Sequence, residues 1–149
     1  MVQYRLVETT SSDEAWLDDL RRRAYRDLFV ETWGGWDEER HVRHFHACLR
    51  RGHISAIEVA GDRVGMIQTL THAGHVEIAE IQVDPRFQGR GIGTIVLRDV
   101  LSSAGDESLA VRLSVGRRNQ KAIHLYHRLG FELVERSATH YHMQREAPT

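Results

Sequence analysis

Residues 82–94 read Gln82-Val83-Asp84-Pro85-Arg86-Phe87-Gln88-Gly89-Arg90-Gly91-Ile92-Gly93-Thr94. A β-prone run ends at its proline, alternate glycines follow, and an apolar helical pattern begins. Because glycine has no Cβ, glycines 89, 91 and 93 allow positive φ and a close backbone approach to a ligand. Successive N–H groups, a helix N-terminus and the Arg90 cation favour anionic oxygens. The segment therefore predicts a phosphate or pyrophosphate site.

Other glycine-rich loops differ from this one in identifiable ways. A P-loop is excluded because no Gly-Lys-Ser/Thr sequence is present. A Rossmann fingerprint needs glycine where Thr94 stands and usually lies near the start of its domain, whereas more than eighty residues precede this loop. A glycine-rich turn without any ligand is the third interpretation. The loop alone thus favours diphosphate binding and does not select a cofactor.

Hydrophobic periodicity outside the loop predicts an α/β chain in the order β α α β β β α β α β β. The predicted strands are residues 4–9, 54–60, 64–71, 76–83, 109–115, 131–135 and 139–143. Four helices are predicted between them, the third from about residue 93 to residue 104. Consecutive hairpins followed by crossover helices predict a mixed sheet with helices on both faces.

Local signals set the expected ends of these elements. A capping box from Ser11 to Glu14 predicts the start of the first helix, and Asp37 predicts the cap of the second. Gly61-Asp62 is read as the tight turn of a hairpin. Asn119 is expected to cap the last helix, and Gly130 to follow its C-terminus.

Composition limits the classes of function. A length of 149 residues predicts a single domain, residues 1–149, and the net charge of −1 gives no electrostatic footprint for nucleic acid or an anionic membrane. The lone Cys48 predicts buried filler in a reducing compartment, and the absence of a signal peptide or long apolar run favours a cytoplasmic protein. Ten histidines show no metal-binding spacing, so no metal is expected.

A second motif narrows the interpretation of the loop. About twenty residues after the loop helix the sequence reads Asn119-Gln120-Lys121-Ala122-Ile123-His124-Leu125-Tyr126-His127-Arg128-Leu129-Gly130-Phe131. With Gln88, Gly91 and Gly93 of the loop, this segment resembles the two signatures of the GNAT family of N-acetyltransferases. The resemblance covers residues 54 to 143 well and the first fifty residues by helix layout. It implies a mostly antiparallel sheet that splays between the fourth and fifth strands.

The resemblance also implies a cosubstrate and a mechanism. Acetyl-CoA would be the acyl donor, with its pyrophosphate on the amides of Gln88 through Thr94 and its pantetheine arm along the strand Ile81, Gln82 and Val83. Asn119 would touch the pantetheine, a role compatible with that of a plain N-cap. Tyr126 would protonate the departing thiolate, unless its ring only packs on the sheet. The amine would attack the thioester directly, in a ternary complex.

Two carboxylates precede the loop, and a base is required because a primary amine of pKa about 10.4 is protonated at neutral pH. Glu77 and Glu80 are three residues apart, so a strand places them on opposite faces. Glu77 is favoured as the base, since several family members carry theirs at this position, and Glu80 is the alternative. A solvated or salt-bridged carboxylate without a catalytic role explains either residue equally well.

The candidate residues for binding the acceptor amine lie in the segment between the first two predicted helices. Trp33 and Trp36, with acidic residues beside them, are candidates to hold a cationic amine, or they pack beneath the helices. The acceptor is expected to be a small-molecule or peptide amine, and the resemblance allows a homodimer. An acyl-CoA-binding sensor without catalysis is the alternative function. A general nucleotide-binding protein would bind ATP and coenzyme A equally.

Overall fold

The computed structural model describes residues 2–148. Its strands are β1 (Arg5–Glu8), β2 (Ile54–Val59), β3 (Asp62–His72), β4 (His75–Val83), β5 (Ala110–Gly116), β6 (Glu132–Arg136) and β7 (His140–Arg145). Its α-helices are α1 (Glu14–Trp33), α2 (Glu38–Arg51), α3 (Ile92–Asp106) and α4 (Gln120–Arg128). Short 3-10 helices span Ser11–Asp13 and Pro85–Phe87. The predicted order of helices and strands is confirmed.

The strands form a seven-stranded sheet in the order β1-β2-β3-β4-β5-β7-β6. The pairs β1/β2, β2/β3, β5/β7 and β6/β7 are antiparallel, and β4/β5 is parallel. The predicted mixed, mostly antiparallel α/β sheet is therefore confirmed. The parallel ladder joins only His75–Ile78 to Ala110–Leu113, although β4 continues to Val83 and β5 to Gly116. This short ladder lies at the junction where the splay was predicted.

Two compact units interleave along the chain. One comprises residues 1–68 and 80–93, and the other comprises residues 69–79 and 94–149. Strands β3 and β4 each contribute residues to both units. The single domain expected from chain length thus remains a prediction.

The first unit has an apolar core between its two long helices and the adjacent strands. Its buried members are Leu17, Leu20, Phe45, Cys48, Ile54 and Met66. Cys48 donates from Sγ to Gln68 Oε1 at 3.2 Å, and burial raises the pKa of its thiol to about 12. The prediction that Cys48 is buried filler is confirmed.

The second unit is built around β5, the hairpin of β6 and β7, and α4. Strand β5 alternates buried Val111, Leu113 and Val115 with exposed residues, as expected for a strand with one covered face. Asn119 caps α4 by accepting from the Ala122 N–H at 3.3 Å, as predicted. Gly130 follows that helix with a φ of 91°.

Two local expectations were wrong by one residue. The first helical segment is capped by Thr10 rather than Ser11, because the Thr10 N–H donates to Asp13 Oδ2 at 2.8 Å. The hairpin turn is Ala60–Gly61 rather than Gly61–Asp62, with φ of 51° and 86°. Asp62 instead pairs with Val59 in the ladder. Positive φ at both central residues matches the twist of the flanking strands, so Ala60 accepts an uncommon conformation.

The remaining predicted ends are confirmed. Gly34 terminates α1 with a φ of 78° and donates to the Val30 carbonyl at 2.9 Å. Asp37 caps α2 by accepting from the Arg40 N–H at 3.0 Å, and β4 stops before Pro85. Within residues 2–148 no helix combines the length and apolarity needed to cross a membrane.

Candidate functional site

The glycine-rich loop is a short connection between β4 and α3. Asp84 starts it by accepting from the Arg86 N–H at 3.0 Å, which caps the 3-10 helix at Pro85–Phe87. Gly89 and Gly91 have φ of 78° and 80°, so the predicted left-handed backbone is present at both. Gly93 was expected to share it, but lies in the first turn of α3 without positive φ. A Cβ there would meet Val83 Cγ2 at 3.7 Å, an ordinary contact.

The backbone donors of this loop point to an anion site. Among the described residues, no acceptor is hydrogen-bonded to the N–H of Gly89, Arg90 or Gly91. The N-terminus of α3 follows at once and adds the unpaired donors of its first turn. Helix N-termini and successive free N–H groups both favour anionic oxygens. The segment therefore has the donors that a pyrophosphate requires.

Side chains around the loop set its charge and shape. The guanidinium groups of Arg86 and Arg90 both lie over the Phe87 ring, 5.7 and 5.3 Å from its centroid. Gln88, a signature residue, donates from Nε2 to the Val83 carbonyl at 2.9 Å. Gln88 thus holds the loop against the end of β4, while the two arginines supply positive charge at its exposed surface.

A buried carboxylate anchors the loop, and the sequence analysis did not single it out. Asp84 is 2% exposed and forms ion pairs with Arg23 of α1 and with Arg86 at 3.0 Å. Burial raises the pKa of Asp84, but hydrogen bonds from Arg86 and Arg23 outweigh it and hold the pKa well below its ordinary value. The dipeptide Asp-Pro signals the cap, but nothing in the sequence identifies Arg23 as a partner.

The two strand carboxylates have different partners. Glu77 accepts from His72 Nε2 at 2.8 Å within the second unit. Glu80 is hydrogen-bonded to His44 Nε2 of α2 and accepts from Gln82 Nε2 at 3.3 Å, within the first unit. The contact of Glu80 with Gln82 agrees with the alternation that places Glu77 on the opposite face. Neither histidine partner was anticipated from the sequence.

The predicted site residues are divided between the two units. The first contains Trp33, Trp36, Glu80, Ile81, Gln82, Val83, Gln88, Gly89, Arg90, Gly91, Ile92 and Gly93. The second contains Glu77, Thr94, Asn119 and Tyr126. In the second unit Tyr126 is buried and its ring meets Phe131 edge-on, with centroids 5.7 Å apart. Asn119 uses its side chain for the α4 cap.

The two tryptophans differ in environment. Trp36 packs between Phe29 and His41, at ring-centroid distances of 5.0 and 5.2 Å, and donates from Nε1 to Glu38 at 3.0 Å. Trp33 is 49% exposed, and the Arg40 guanidinium lies 4.3 Å from the centroid of its ring. Trp36 thus contacts two other rings and one carboxylate. Trp33 already carries a cation on its ring.

No set of three or more His, Cys, Asp or Glu side chains within residues 2–148 is arranged to hold a metal ion. The loop, with its N–H donors and cations, is suited to an anionic ligand.

Comparison with known proteins adds independent evidence. Residues 17–131 match the family described as the acetyltransferase (GNAT) family. The chain is 31% identical over 151 residues to an uncharacterized N-acetyltransferase of Methanocaldococcus jannaschii, covering 91% of this chain and 66% of that protein. It is 29% identical over 112 residues to spermidine N(1)-acetyltransferase of Escherichia coli, covering 72% of this chain and 56% of that protein. The chain thus spans less than two thirds of these relatives.

A solved structure shows the same fold. PaiA N-acetyltransferase of Thermoplasma acidophilum, in complex with coenzyme A, superposes with a TM-score of 0.75 at 14% identity. The alignment covers 97% of this chain and 99% of that one. The family match spans more than half of the sequence and includes both the loop and the segment from Asn119 to Phe131. The resemblance noted in the two motifs is confirmed, and the chain belongs to the acetyltransferase (GNAT) family.

Proposed function

We propose that this chain is an N-acetyltransferase that moves the acetyl group of acetyl-CoA to a primary amine in a ternary complex. The observation that carries the proposal is the loop: the N–H groups of Gly89, Arg90 and Gly91 have no acceptor among the described residues and lead into the N-terminus of α3. Such donors suit the pyrophosphate of coenzyme A. Membership in an acetyltransferase family supports the acetyl donor.

The other residues take the roles that the family resemblance implies. The backbone of Ile81, Gln82 and Val83 binds the pantetheine arm, with Asn119 as a further contact. In the reaction the amine nitrogen bonds to the thioester carbon, and the carbon–sulfur bond breaks. Tyr126 then gives its phenolic proton to the departing thiolate. Orientation of the two reactants supplies a large share of the rate, because effective molarities of oriented groups reach about 10⁵ M or more.

The acceptor is proposed to be a cationic amine, either a small molecule or a peptide N-terminus. Trp33, Trp36 and the acidic start of α2 are the candidate contacts. One relative is a spermidine N(1)-acetyltransferase, which supports a cationic amine as acceptor. The proton leaves the amine toward the strand carboxylates, with Glu77 and Glu80 as the two candidates. The proposal also includes that the chain forms a single domain and that two copies of it form a homodimer.

Ligand-induced stabilisation tests the loop first. Thermal melting is measured with coenzyme A, acetyl-CoA and ATP, each at 100 times its dissociation constant or at the highest soluble concentration. A ligand specific to the folded state adds about 2.7 kcal/mol under these conditions. We expect a shift with both coenzyme A compounds and not with ATP. No shift with any of the three would make the loop a turn without a ligand.

A pair of glycine variants links the shift to the loop. Gly91→Ala strains a backbone held at a φ of 80° and should weaken the coenzyme A shift. Gly35→Ala is the matched control, because Gly35 has no positive φ and no heavy atom lies within 4 Å of a Cβ built there. Release of coenzyme A is then followed with spermidine and with a peptide bearing a free N-terminus. Binding without turnover would favour the acyl-CoA-binding sensor.

A further inference from the structure

An imidazole and a carboxylate form a pair within the first unit. His44 of α2 is hydrogen-bonded through Nε2 to Glu80 Oε1 of β4. The second carboxylate oxygen of Glu80 accepts from Gln82 Nε2 at 3.3 Å. Both oxygens of Glu80 are thus engaged, and its orientation is fixed from two sides. Aspartate or glutamate placed in this way orients a histidine in hydrolases that use an imidazole base.

The side chains of Glu80 and His44 differ in their exposure to solvent. The side chain of Glu80 is 11% exposed, whereas that of His44 is 47% exposed. A cavity of the same unit, lined in part by Phe45, Cys48 and Gln82, measures about 10 Å³, which leaves room for at most about one water molecule. A substrate amine does not fit in this cavity. The side chain it can reach from solvent is the imidazole.

The hydrogen bond also determines which nitrogen is available. An ionised carboxylate only accepts hydrogen bonds, so in the neutral imidazole the proton is on Nε2 and the lone pair is on Nδ1. Within residues 2–148, Nδ1 of His44 has no hydrogen-bond partner. Glu80 faces His44 from β4. The charge of Glu80 raises the pKa of the neighbouring Cys48 thiol, whereas the charges of Arg21 and Arg51 lower it. His44 thus has a half-exposed ring and a proton-accepting atom that no described residue occupies.

We propose that His44 is the general base of the transfer reaction and that Glu80 is a positioning residue that acts through it. The inference rests on the proposed function. Nδ1 of His44 takes a proton from the acceptor ammonium, directly or through one water. The released lone pair attacks the thioester carbon, the carbon–sulfur bond breaks, and the thiolate receives its proton from Tyr126. The imidazolium then returns its proton to solvent through its exposed edge.

The second histidine–carboxylate pair, His72 and Glu77, lies elsewhere in the chain. His72 and Glu77 flank the turn Ala73–Gly74, and His72 also stacks on the ring of His75 at 4.7 Å. They belong to the second unit, whereas His44 and Glu80 belong to the same unit as the loop residues 84–93. Glu80 therefore shares a unit with the loop proposed to bind the pyrophosphate, whereas Glu77 shares one with Tyr126.

The test compares His44→Gln and Glu80→Gln with the wild type. His46→Gln is the matched control, because His46 is an exposed histidine of the same helix without a hydrogen bond or ion pair to the described residues. Coenzyme A release with spermidine and with a free peptide N-terminus gives kcat/KM from pH 6 to pH 10. Calorimetric binding of coenzyme A is measured in parallel.

We expect His44→Gln to lose roughly 100-fold in kcat/KM at pH 7, the lower end of the usual contribution of a general base. With spermidine the deficit should shrink toward pH 10, because an amine of pKa about 10.4 then increasingly loses its own proton. With the peptide N-terminus it should shrink above about pH 8, the usual pKa of an α-amino group. Coenzyme A affinity should stay unchanged. Glu80→Gln should show a smaller loss with the same pH trend, and His46→Gln should show none. Added imidazole should restore part of the rate of His44→Ala.

Any other result overturns either the role of His44 as general base or the proposed function. Equal activity of His44→Gln and wild type at all pH values overturns the inference and leaves the proposed function standing. A loss that is the same at every pH, with weaker coenzyme A binding and no imidazole rescue, assigns His44 a structural role and also overturns it. A pH-dependent loss in Glu77→Gln instead makes Glu77 the base. A wild type that binds no coenzyme A and releases none refutes the proposed function itself.

Discussion

Arg23 in the middle of α1 is ion-paired with Asp84, the residue that follows the last residue of β4. The two are 61 residues apart in sequence, and Asp84 is almost fully buried. Asp84 also caps the 3-10 helix at the start of the glycine-rich loop and pairs with Arg86. One carboxylate therefore fixes the long first helix to the segment proposed to bind pyrophosphate.

Asp84→Asn should destabilise the protein at neutral pH by about 2 kcal/mol, the usual value of hydrogen bonds to a charged group. The folded pKa of Asp84 is lowered, so its contribution is present above the unfolded pKa, near pH 4, and is lost as the pH falls below it. Urea unfolding of wild type and variant should therefore differ most at pH 7 and progressively less below pH 4. Asp19→Asn removes the 63% exposed partner of Arg23 and should change stability by less than about 0.5 kcal/mol. A difference that grows in acid would contradict this assignment.

Gly65→Ala should destabilise the first unit through a clash between backbones. A Cβ at Gly65 of β3 would lie 2.2 Å from the carbonyl oxygen of Gln82 and 3.1 Å from Val83 Cα. Because both contacts are backbone atoms of β4, no side chain can move aside, and a loss of about 3 kcal/mol is expected. Gly35→Ala is the control, since a Cβ there meets nothing within 4 Å. Unchanged unfolding midpoints in urea would show that the two strands are farther apart.

His41 should make stability fall on mild acidification. Its ring is fully buried, with Nδ1 at 2.7 Å from Arg21 Nη1 and Nε2 at 2.6 Å from Asp18 Oδ1. Arginine can only donate, so Nδ1 accepts and Nε2–H donates to Asp18. Burial, aided by the charges of Arg21 and Arg22 and opposed by the Asp18 bond, lowers the pKa of His41.

The neutral ring therefore stabilises the fold above the unfolded pKa, about 6.5, and this stability is lost as the pH falls below it. The free energy of unfolding, measured in urea from pH 7.5 to pH 5, should decline in the wild type. His41→Gln should be less stable at pH 7.5 and should depend less on pH. His46→Gln, which alters an exposed histidine of the same helix, should keep the wild-type decline. An identical pH dependence in wild type and His41→Gln would exclude His41 as its source.

Tyr126→Phe should separate catalysis from packing. The substitution keeps the edge-on contact with Phe131 and removes only the hydroxyl group. If the phenol protonates the thiolate, kcat should fall roughly 100-fold, with coenzyme A affinity unchanged. Tyr141→Phe is the control in the same unit, where the ring lies under the Arg117 guanidinium and has no proposed part in the reaction. A wild-type kcat for Tyr126→Phe at every pH would leave Tyr126 as a packing residue.

The local features of the fold were predictable because a few neighbouring residues determine them. Asp37 and Asn119 cap helices through N–H groups three residues ahead, and Gly34 ends α1 through its own positive φ. The hairpin turn was misplaced by one residue because Ala60 adopts a conformation that side-chain chemistry disfavours. The register between β2 and β3 pairs Val59 with Asp62 and so places the turn at Ala60–Gly61.

The element order, the strand-to-helix position of the loop and, through two spaced motifs, the family could all be predicted from the sequence. The folded chain brings together groups that are far apart in sequence: Arg23 with Asp84, His44 with Glu80 across 36 residues, and Gly65 with the Gln82 carbonyl. Periodicity and caps depend on contacts within about four residues along the chain. Pairing between distant side chains depends instead on how the strands align and how the helices pack on them. For that reason the loop could be read from the chain, whereas its buried anchor and the histidine partners of both carboxylates could not.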